Sequence, residues 1–146
     1  MSLVCDYPDW RPAQHEAADT AMLAHFERTR GYSTWRPDSY DLVKTRLASG
    51  EITACFIAGY LLFYDVSQAW STRDNLLYEQ FLTKATPEGS FEDYVQGIKA
   101  LCARYGCSGV ESGNGVLRPG LRRLYERAGF IKTNETYFLE VHNGQE

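Results

Sequence analysis

One acidic residue is notable for the segment in which it lies. Glu79 sits between Tyr78 and Gln80 in the apolar stretch Leu-Leu-Tyr-Glu-Gln-Phe-Leu-Thr, which is typical of a β-strand. If the side chain is buried, the pKa of its carboxyl group rises and the carboxylate accepts a proton more readily near neutral pH. The alternative is a solvent-facing strand residue without a chemical role.

Positive charge is concentrated near the C-terminal end of the chain. Four arginines lie close together there: Arg118, Arg122, Arg123 and Arg127. The net charge of the whole chain is −4, from 15 basic and 19 acidic residues, which argues against a dedicated nucleic-acid binder. The cluster can still form a local patch that meets phosphate groups. The alternative is a solvated helix face without a partner.

Signatures of common catalytic and metal sites are absent from the sequence. It contains no G-x-S-x-G elbow, Walker loop, G-x-G-x-x-G fingerprint or H-E-x-x-H zinc motif. The four cysteines are irregularly spaced, and Cys102 falls on an apolar helical stripe, so reduced core thiols are expected. Cys102 and Cys107 lack the second ligand pair that a zinc site needs, and we expect no metal.

Length and hydropathy predict one domain over residues 1–146. A chain of 146 residues, 44% of them hydrophobic, buries a sizeable core without metals or disulfides. The N-terminus lacks the basic-then-apolar pattern of a secretory signal, and no apolar run approaches the roughly 20 residues of a membrane span. We therefore expect a cytoplasmic protein that does not bind membranes.

Apolar spacing in the first half predicts two helices and a set of strands. A strand over residues 2–7 precedes a helix over 13–30 and a second helix from Asp38 or Ser39 to Leu47. Residues 52–66 form an apolar run typical of a strand buried on both faces. Gly59 in this run marks a bulge or bend, or else a tight turn between two shorter strands. A strand over 75–84 is expected to pair antiparallel with this run.

The second half alternates helices with strands. Ser90 and Asp93 form a near capping box, which starts a helix over 91–105 that ends at Gly106. A strand over 107–111, a turn at 112–115 and a helix over 119–128 follow, and residues 130–141 supply a final strand or hairpin. This order predicts an α/β or α+β fold with a mixed β-sheet flanked by about four helices.

The segment Leu-Tyr-Glu-Arg-Ala-Gly-Phe, from Leu124 to Phe130, resembles a motif of the GCN5-related N-acetyltransferase (GNAT) superfamily. Members carry Leu-Tyr-Glu-x-x-Gly-Phe on their last helix, and the order of the upstream elements is also similar. The resemblance implies a single-domain acyl-CoA N-acyltransferase-like fold. The compact size and the pattern of residues 52–84 also resemble reduced acetyltransferase-like proteins encoded by bacteriophages.

The resemblance implies two catalytic residues and acetyl-CoA as cosubstrate. In the family, the helix tyrosine, here Tyr125, protonates the departing thiolate of coenzyme A. A phenol is a reasonable acid for this step, because the thiol that forms has a pKa of about 8.5. A glutamate on the fourth strand, here Glu79, acts as general base towards the attacking amine. Glu111, at the end of the next strand, is a second candidate base. Tyr125 also falls on the apolar face of its helix, so a packing role is the alternative.

The family's pyrophosphate loop corresponds poorly to this sequence. Its glycines and the following helix N-terminus bring backbone N–H groups to the diphosphate. Gly89 matches one of these glycines, but three acidic residues crowd the position: Glu88, Glu92 and Asp93. Arg118 replaces the family's asparagine. The residues expected to bind coenzyme A are Gly89, Ser90, Asn114, Arg118 and Arg122.

These implications favour an N-acyltransferase that moves an acetyl group from acetyl-CoA to a primary amine by direct attack. The alternative is a catalytically degenerate member with a binding or assembly role, for example a phage accessory or virion component. A protein can retain the fold of an enzyme family without its catalytic activity. The acids of the pyrophosphate loop favour this alternative. The sequence does not identify the amine, nucleic acid is not an expected partner, and a homodimer is left open.

Overall fold

The computed structural model describes residues 3–29, 39–113 and 119–133, together with Leu139. The strands are β1 (Val4–Asp6), β2 (Thr53–Ile57), β3 (Tyr60–Gln68), β4 (Asn75–Lys84) and β5 (Cys107–Glu111). The helices are α1 (Pro12–Thr29), α2 (Ser39–Ser49), α3 (Phe91–Tyr105) and α4 (Pro119–Arg127), and a short 3-10 turn (Tyr7–Asp9) follows β1. The prediction of a mixed sheet with flanking helices is confirmed.

The sheet follows the chain order, β1-β2-β3-β4-β5. The first four strands pair antiparallel through hairpins or longer connections. In contrast, β4 and β5 run parallel, and α3 provides the crossover that a parallel pair needs. The parallel pair at the edge is what makes the sheet mixed.

The apolar run at residues 52–66 is a hairpin of two strands. Ile57 pairs with Tyr60 across a two-residue turn of Ala58 and Gly59. Both turn residues have positive φ, 50° and 84°, as the tightest hairpin turns require. The tight-turn interpretation of Gly59 is therefore confirmed, and the interpretation as a bulge within a single strand is wrong.

Each face of the sheet carries a hydrophobic cluster. On one face, α3 packs Ile98 and Leu101 against Ile57 of β2, and α4 joins the same cluster. On the other face, α1 and α2 contribute Met22 and Leu47. We call these the α3 face and the α1 face of the sheet.

Local caps fix the ends of α3. Ser90 Oγ accepts a hydrogen bond from the backbone N–H of Asp93 at 3.1 Å. Gly106 ends the helix in the left-handed conformation, with φ of 66°. These caps confirm the predicted bounds, because they satisfy backbone groups that a helix end would leave unpaired.

The expected strand after α4 does not begin at Phe130. Gly129 has φ of 94°, and the Phe130 N–H donates to the carbonyl of Tyr125, so the chain is still completing the end of the helix. Residues 130–133 consequently form no strand. The rest of the predicted strand or hairpin, up to residue 141, lies outside the described residues apart from Leu139.

The four cysteines are free thiols. Cys55 is buried on β2, and burial raises the pKa of its thiol to about 12. Within residues 3–29, 39–113 and 119–133, no group of three or more His, Cys, Asp or Glu side chains is arranged to hold a metal ion. None of the described helices is long and apolar enough to span a bilayer.

Candidate active site

The strands β4 and β5 separate halfway along β4. Their parallel pairing begins with Asn75 beside Cys107 and ends with Tyr78 beside Glu111. β4 continues to Lys84, and no described residue pairs with its residues 79–84 on that side. The backbone N–H and C=O groups of an unpaired strand edge can bind an extended ligand. We call this opening the β4–β5 gap.

Glu79 lies on the α3 face of β4, and a β-bulge follows it. Glu79 pairs with Tyr64 on β3, whereas the preceding β3 residue, Phe63, pairs with Phe81, so Gln80 is the extra residue. Such an insertion changes which face the following side chains occupy. Glu79 precedes the bulge, shares the α3 face with Leu77 and bonds to a residue of α3, whereas Phe81 follows the bulge and packs into the cluster on the α1 face.

Two tyrosine hydroxyls bind the Glu79 carboxyl group, one on each oxygen. Tyr94 on α3, whose side chain is fully buried, donates to Oε2 at 2.6 Å. Tyr125 on α4 is 8% exposed and donates to Oε1. Elements far apart in the sequence therefore meet at one carboxyl group beside the β4–β5 gap.

Aromatic contacts hold the Tyr125 ring in place. Its centroid lies 5.6 Å from that of Phe91 and 5.0 Å from that of Phe130. Leu121 and Leu124, on the same side of α4, pack against the same cluster. The ring is thus part of the core, as one sequence interpretation predicted, while the hydroxyl is aimed at Glu79.

Burial governs the proton affinity of this group. Burial raises the pKa of Glu79, and the hydrogen bonds from Tyr125 and Tyr94 oppose that rise without cancelling it. Burial, followed by the negative charge of Glu79, raises the pKa of Tyr94 and of Tyr125. The two phenols therefore remain protonated donors, and the carboxyl group is the one that gains or loses a proton.

A buried hydroxyl lies beside this cluster. Ser112 follows β5 directly, and its proximity lowers the pKa of both Glu79 and Tyr125. Its Oγ is nevertheless buried without a hydrogen bond of normal geometry to any described residue. This hydroxyl therefore adds a polar group to the Glu79 and Tyr125 cluster beside the gap.

Sequence reasoning missed Tyr94 and Ser112. Tyr94 lies among the apolar residues that recur along one side of α3, and this pattern predicts packing alone. The available signal was its hydroxyl, because a buried tyrosine usually needs a hydrogen-bond partner and Glu79 was the acid expected in the adjacent sheet. Ser112 had no signal beyond its position at the end of β5.

The loop before α3 is packed against its own chain. Gly89 has φ of 88°, and a Cβ atom there would collide with the carbonyl group of Ala58 in the β2–β3 turn. Ser90 caps α3. Glu88 in this loop and Glu92 and Asp93 in the first turn of α3 are exposed. Internal packing alone therefore accounts for the glycine at position 89.

The remaining candidates lie apart from Glu79 or outside the described residues. Arg122 is exposed on α4, and its Nε bonds to Oε1 of Glu126 at 2.9 Å. Glu111 pairs with Tyr78, whose side chain points to the face opposite Glu79. Asn114 and Arg118 lie outside the described residues, so their expected contacts stay predictions.

Solved structures share this architecture over nearly the whole chain. AAC(6')-Iy in complex with the bisubstrate analogue CoA-S-monomethyl-acetylneamine is 8% identical, with a TM-score of 0.62, covering 96% of this chain and 97% of that one. An aminoglycoside acetyltransferase from an uncultured soil metagenomic sample is 14% identical, with a TM-score of 0.60, covering 95% and 97%. The ribosomal-protein-alanine N-acetyltransferase from Brucella melitensis is 13% identical, with a TM-score of 0.60, covering 87% and 94%.

These similarities establish the fold that the helix motif implied, which is that of the GNAT acyltransferases. No protein-family model and no curated protein matches the sequence. The resemblance to phage-encoded proteins stays a prediction.

Proposed function

We propose that this chain, which has the GNAT fold, is an N-acetyltransferase that moves an acetyl group from acetyl-CoA to a primary amine. The observation that carries the proposal is the hydrogen bond between Tyr125 and Glu79. It joins a proton donor to a proton acceptor beside the gap where β4 leaves β5.

Direct attack gives each of the two residues a defined part. The amine nitrogen bonds to the acetyl carbon and loses a proton to the Glu79 carboxylate, while the carbon–sulfur bond breaks and Tyr125 donates its proton to the leaving sulfur. The Tyr125 oxygen then recovers a proton from Glu79 through their hydrogen bond. Over one cycle the amine loses one proton, the thiol gains one, and both side chains return to their starting states.

The environment of Glu79 favours its part as the base. Burial raises the pKa of its carboxyl group, and a higher pKa makes the carboxylate a stronger proton acceptor. The opposing hydrogen bonds from Tyr125 and Tyr94 favour the ionised form, which is the form that accepts a proton.

Two features of the gap fit the polar parts of coenzyme A. The edge of β4 over residues 79–84, which pairs with no described residue on the β5 side, offers backbone groups that can bind the amides of its pantetheine arm. The Ser112 hydroxyl, beside Glu79, offers a further buried polar group. We propose that Gly89, Ser90, Asn114, Arg118 and Arg122 lie around the same ligand.

One observation favours a second function. Glu88, Glu92 and Asp93 are exposed around the N-terminus of α3, where GNAT members bind a diphosphate, and like charge weakens such binding. The alternative proposal is a catalytically degenerate GNAT-fold protein with a binding or assembly role, such as a phage accessory or virion component.

A transfer assay separates the two proposals. The protein is incubated with acetyl-CoA and a panel of primary amines that includes an aminoglycoside and a peptide beginning with alanine, because acetyltransferases named for such acceptors share the fold. Release of free thiol above the level of a Glu79→Gln variant supports N-acetyl transfer. Equal release from both proteins with every amine contradicts the assigned chemistry and favours the degenerate alternative.

A further inference from the structure

The Tyr94 side chain carries a hydroxyl group that packing does not explain. Tyr94 is fully buried on α3, and its ring lies 5.3 Å from that of Phe91 and 5.2 Å from that of Tyr60, centroid to centroid. A phenylalanine would fill the same space and make the same ring contacts. The hydroxyl instead donates to Oε2 of Glu79 at 2.6 Å. A buried hydroxyl is costly without a partner, so this bond is the reason for tyrosine at position 94.

We infer that Tyr94 is a positioning residue that holds Oε2 of Glu79 and thereby directs Oε1 towards Tyr125 and the β4–β5 gap. The catalytic meaning of this inference rests on the proposed acetyl transfer. Its structural content, that one phenol orients the carboxyl group and sets its proton affinity, can be tested without turnover.

The two phenols occupy different positions, which favours different parts for them. Tyr125 lies on α4 beside the gap and, in the proposed reaction, gives up and regains its proton. Tyr94 lies deeper, on the helix that packs across the sheet, and has no exposed surface. A donor that keeps its proton throughout holds the flexible glutamate side chain in one orientation while the other bond breaks and re-forms.

The surroundings of Glu79 allow a matched control. Among the described residues, the polar groups on its face nearest to it are Tyr94 from α3, Tyr125 from α4, Ser112 after β5 and Tyr64 from β3. Tyr60 of β3, which contacts the Tyr94 ring, and Cys55 of β2 lie further away. Tyr64 is also a buried tyrosine on this face, but its hydroxyl bonds to the Tyr105 hydroxyl at 3.0 Å. Tyr64→Phe therefore removes a buried hydroxyl near Glu79 without removing a bond to it.

The test compares Tyr94→Phe with Tyr64→Phe in the full chain. The titration of Glu79 is followed by NMR of ¹³C-labelled glutamate carboxyl groups, with the signal assigned by its loss in Glu79→Gln. Because a donor to a carboxylate favours the ionised form, Tyr94→Phe should raise the Glu79 pKa by about one to two units, whereas Tyr64→Phe should leave it close to the wild-type value. Tyr94→Met, which lacks the ring as well, should give a shift in the same direction.

Kinetics then connect the titration to the reaction. In Tyr94→Phe the acidic limb of the kcat/KM profile should move to higher pH by the same amount, and kcat should fall by about tenfold, with KM for acetyl-CoA unchanged. A Glu79 pKa in Tyr94→Phe equal to that of the wild type overturns the inference. So does an equal shift in Tyr64→Phe. If no variant transfers acetyl groups, the proposed function fails, and the NMR titration still decides the part of Tyr94.

Discussion

Tyr125 on α4 and Glu79 on β4 lie 46 residues apart in the sequence and share a hydrogen bond beside the β4–β5 gap. The bond joins the acid and the base of the proposed reaction, so the proton affinity of each group depends on the other. It also gives the proton taken from the amine a direct route back to the phenol that protonates the leaving sulfur.

Removing the Tyr125 hydroxyl should stop this proton transfer and leave the fold intact. Tyr125→Phe keeps the ring contacts with Phe91 and Phe130, so we expect little change in unfolding. We expect kcat, measured as free thiol release, to fall by about 10²-fold or more through the loss of acid catalysis. Tyr64→Phe, which removes a hydroxyl bonded to Tyr105, serves as the control. Unchanged turnover in Tyr125→Phe removes this residue from the mechanism.

The pH dependence of stability should report the buried carboxyl group. Burial raises the Glu79 pKa in the folded protein above the value of about 4.3 for an unfolded chain. The stability from its bound proton is thus fully present below that value and is lost as pH rises through the folded pKa. Relative to Glu79→Gln, the wild type should lose about 1.4 kcal/mol of unfolding free energy per pH unit between the two pKa values.

Urea unfolding at a series of pH values measures this difference. Glu111→Gln changes an acid on the opposite face of the sheet and is the control. If the free energies of wild type and Glu79→Gln stay parallel from acidic to neutral pH, the pKa of Glu79 is not raised.

Gly89 should matter for packing, whatever the protein binds. Gly89→Ala places a methyl group against the Ala58 carbonyl and strains a residue with φ of 88°. Gly50 has a similar φ of 82° and open space around it, so Gly50→Ala should lower the unfolding free energy through backbone strain alone. We expect losses of about 1 kcal/mol for Gly50→Ala and about 2–4 kcal/mol for Gly89→Ala. Equal losses in urea unfolding would show that the contact with Ala58 is unimportant.

Local signals were sufficient to predict most elements of the fold. Ser90 and Gly106 fixed the ends of α3, because side-chain capping and a left-handed glycine are local properties. The sequence left two interpretations of Gly59, a bulge or a tight turn. Alanine rarely adopts the positive φ that residue 58 has in this turn, so the turn could not be recognised from residue types alone. The prediction of a strand beginning at Phe130 was wrong, because apolar residues at the end of a helix can be mistaken for the start of a strand.

The site was less accessible to sequence reasoning than the fold. The family resemblance nominated Tyr125 and Glu79, but their contact depends on how α4 packs against β4, which no local pattern reveals. Tyr94 was hidden among apolar neighbours on its helix. The hydrogen bond from its hydroxyl to Glu79 becomes evident only when the position of α3 relative to β4 is known.

Charge at the start of α3 should control binding of coenzyme A. If the diphosphate lies there, Glu88→Arg replaces repulsion with attraction and should lower the Kd by about fivefold at low salt. The gain should fade in high salt, because the Debye length falls from about 10 Å at 0.1 M to 3 Å at 1 M. Glu16→Arg, at an exposed position on α1, changes the net charge equally and is the control. Equal gains in both variants would place the diphosphate elsewhere.

Calorimetric titration of the wild-type protein with acetyl-CoA tests the central claim most directly, because it requires no knowledge of the amine. We expect saturable binding of one acetyl-CoA per chain. The same ligand at a hundredfold excess over its Kd should raise the unfolding free energy by about 2.7 kcal/mol. A titration that remains flat at millimolar acetyl-CoA, with no change in unfolding, would contradict the acetyltransferase account and leave a GNAT fold kept for binding or assembly.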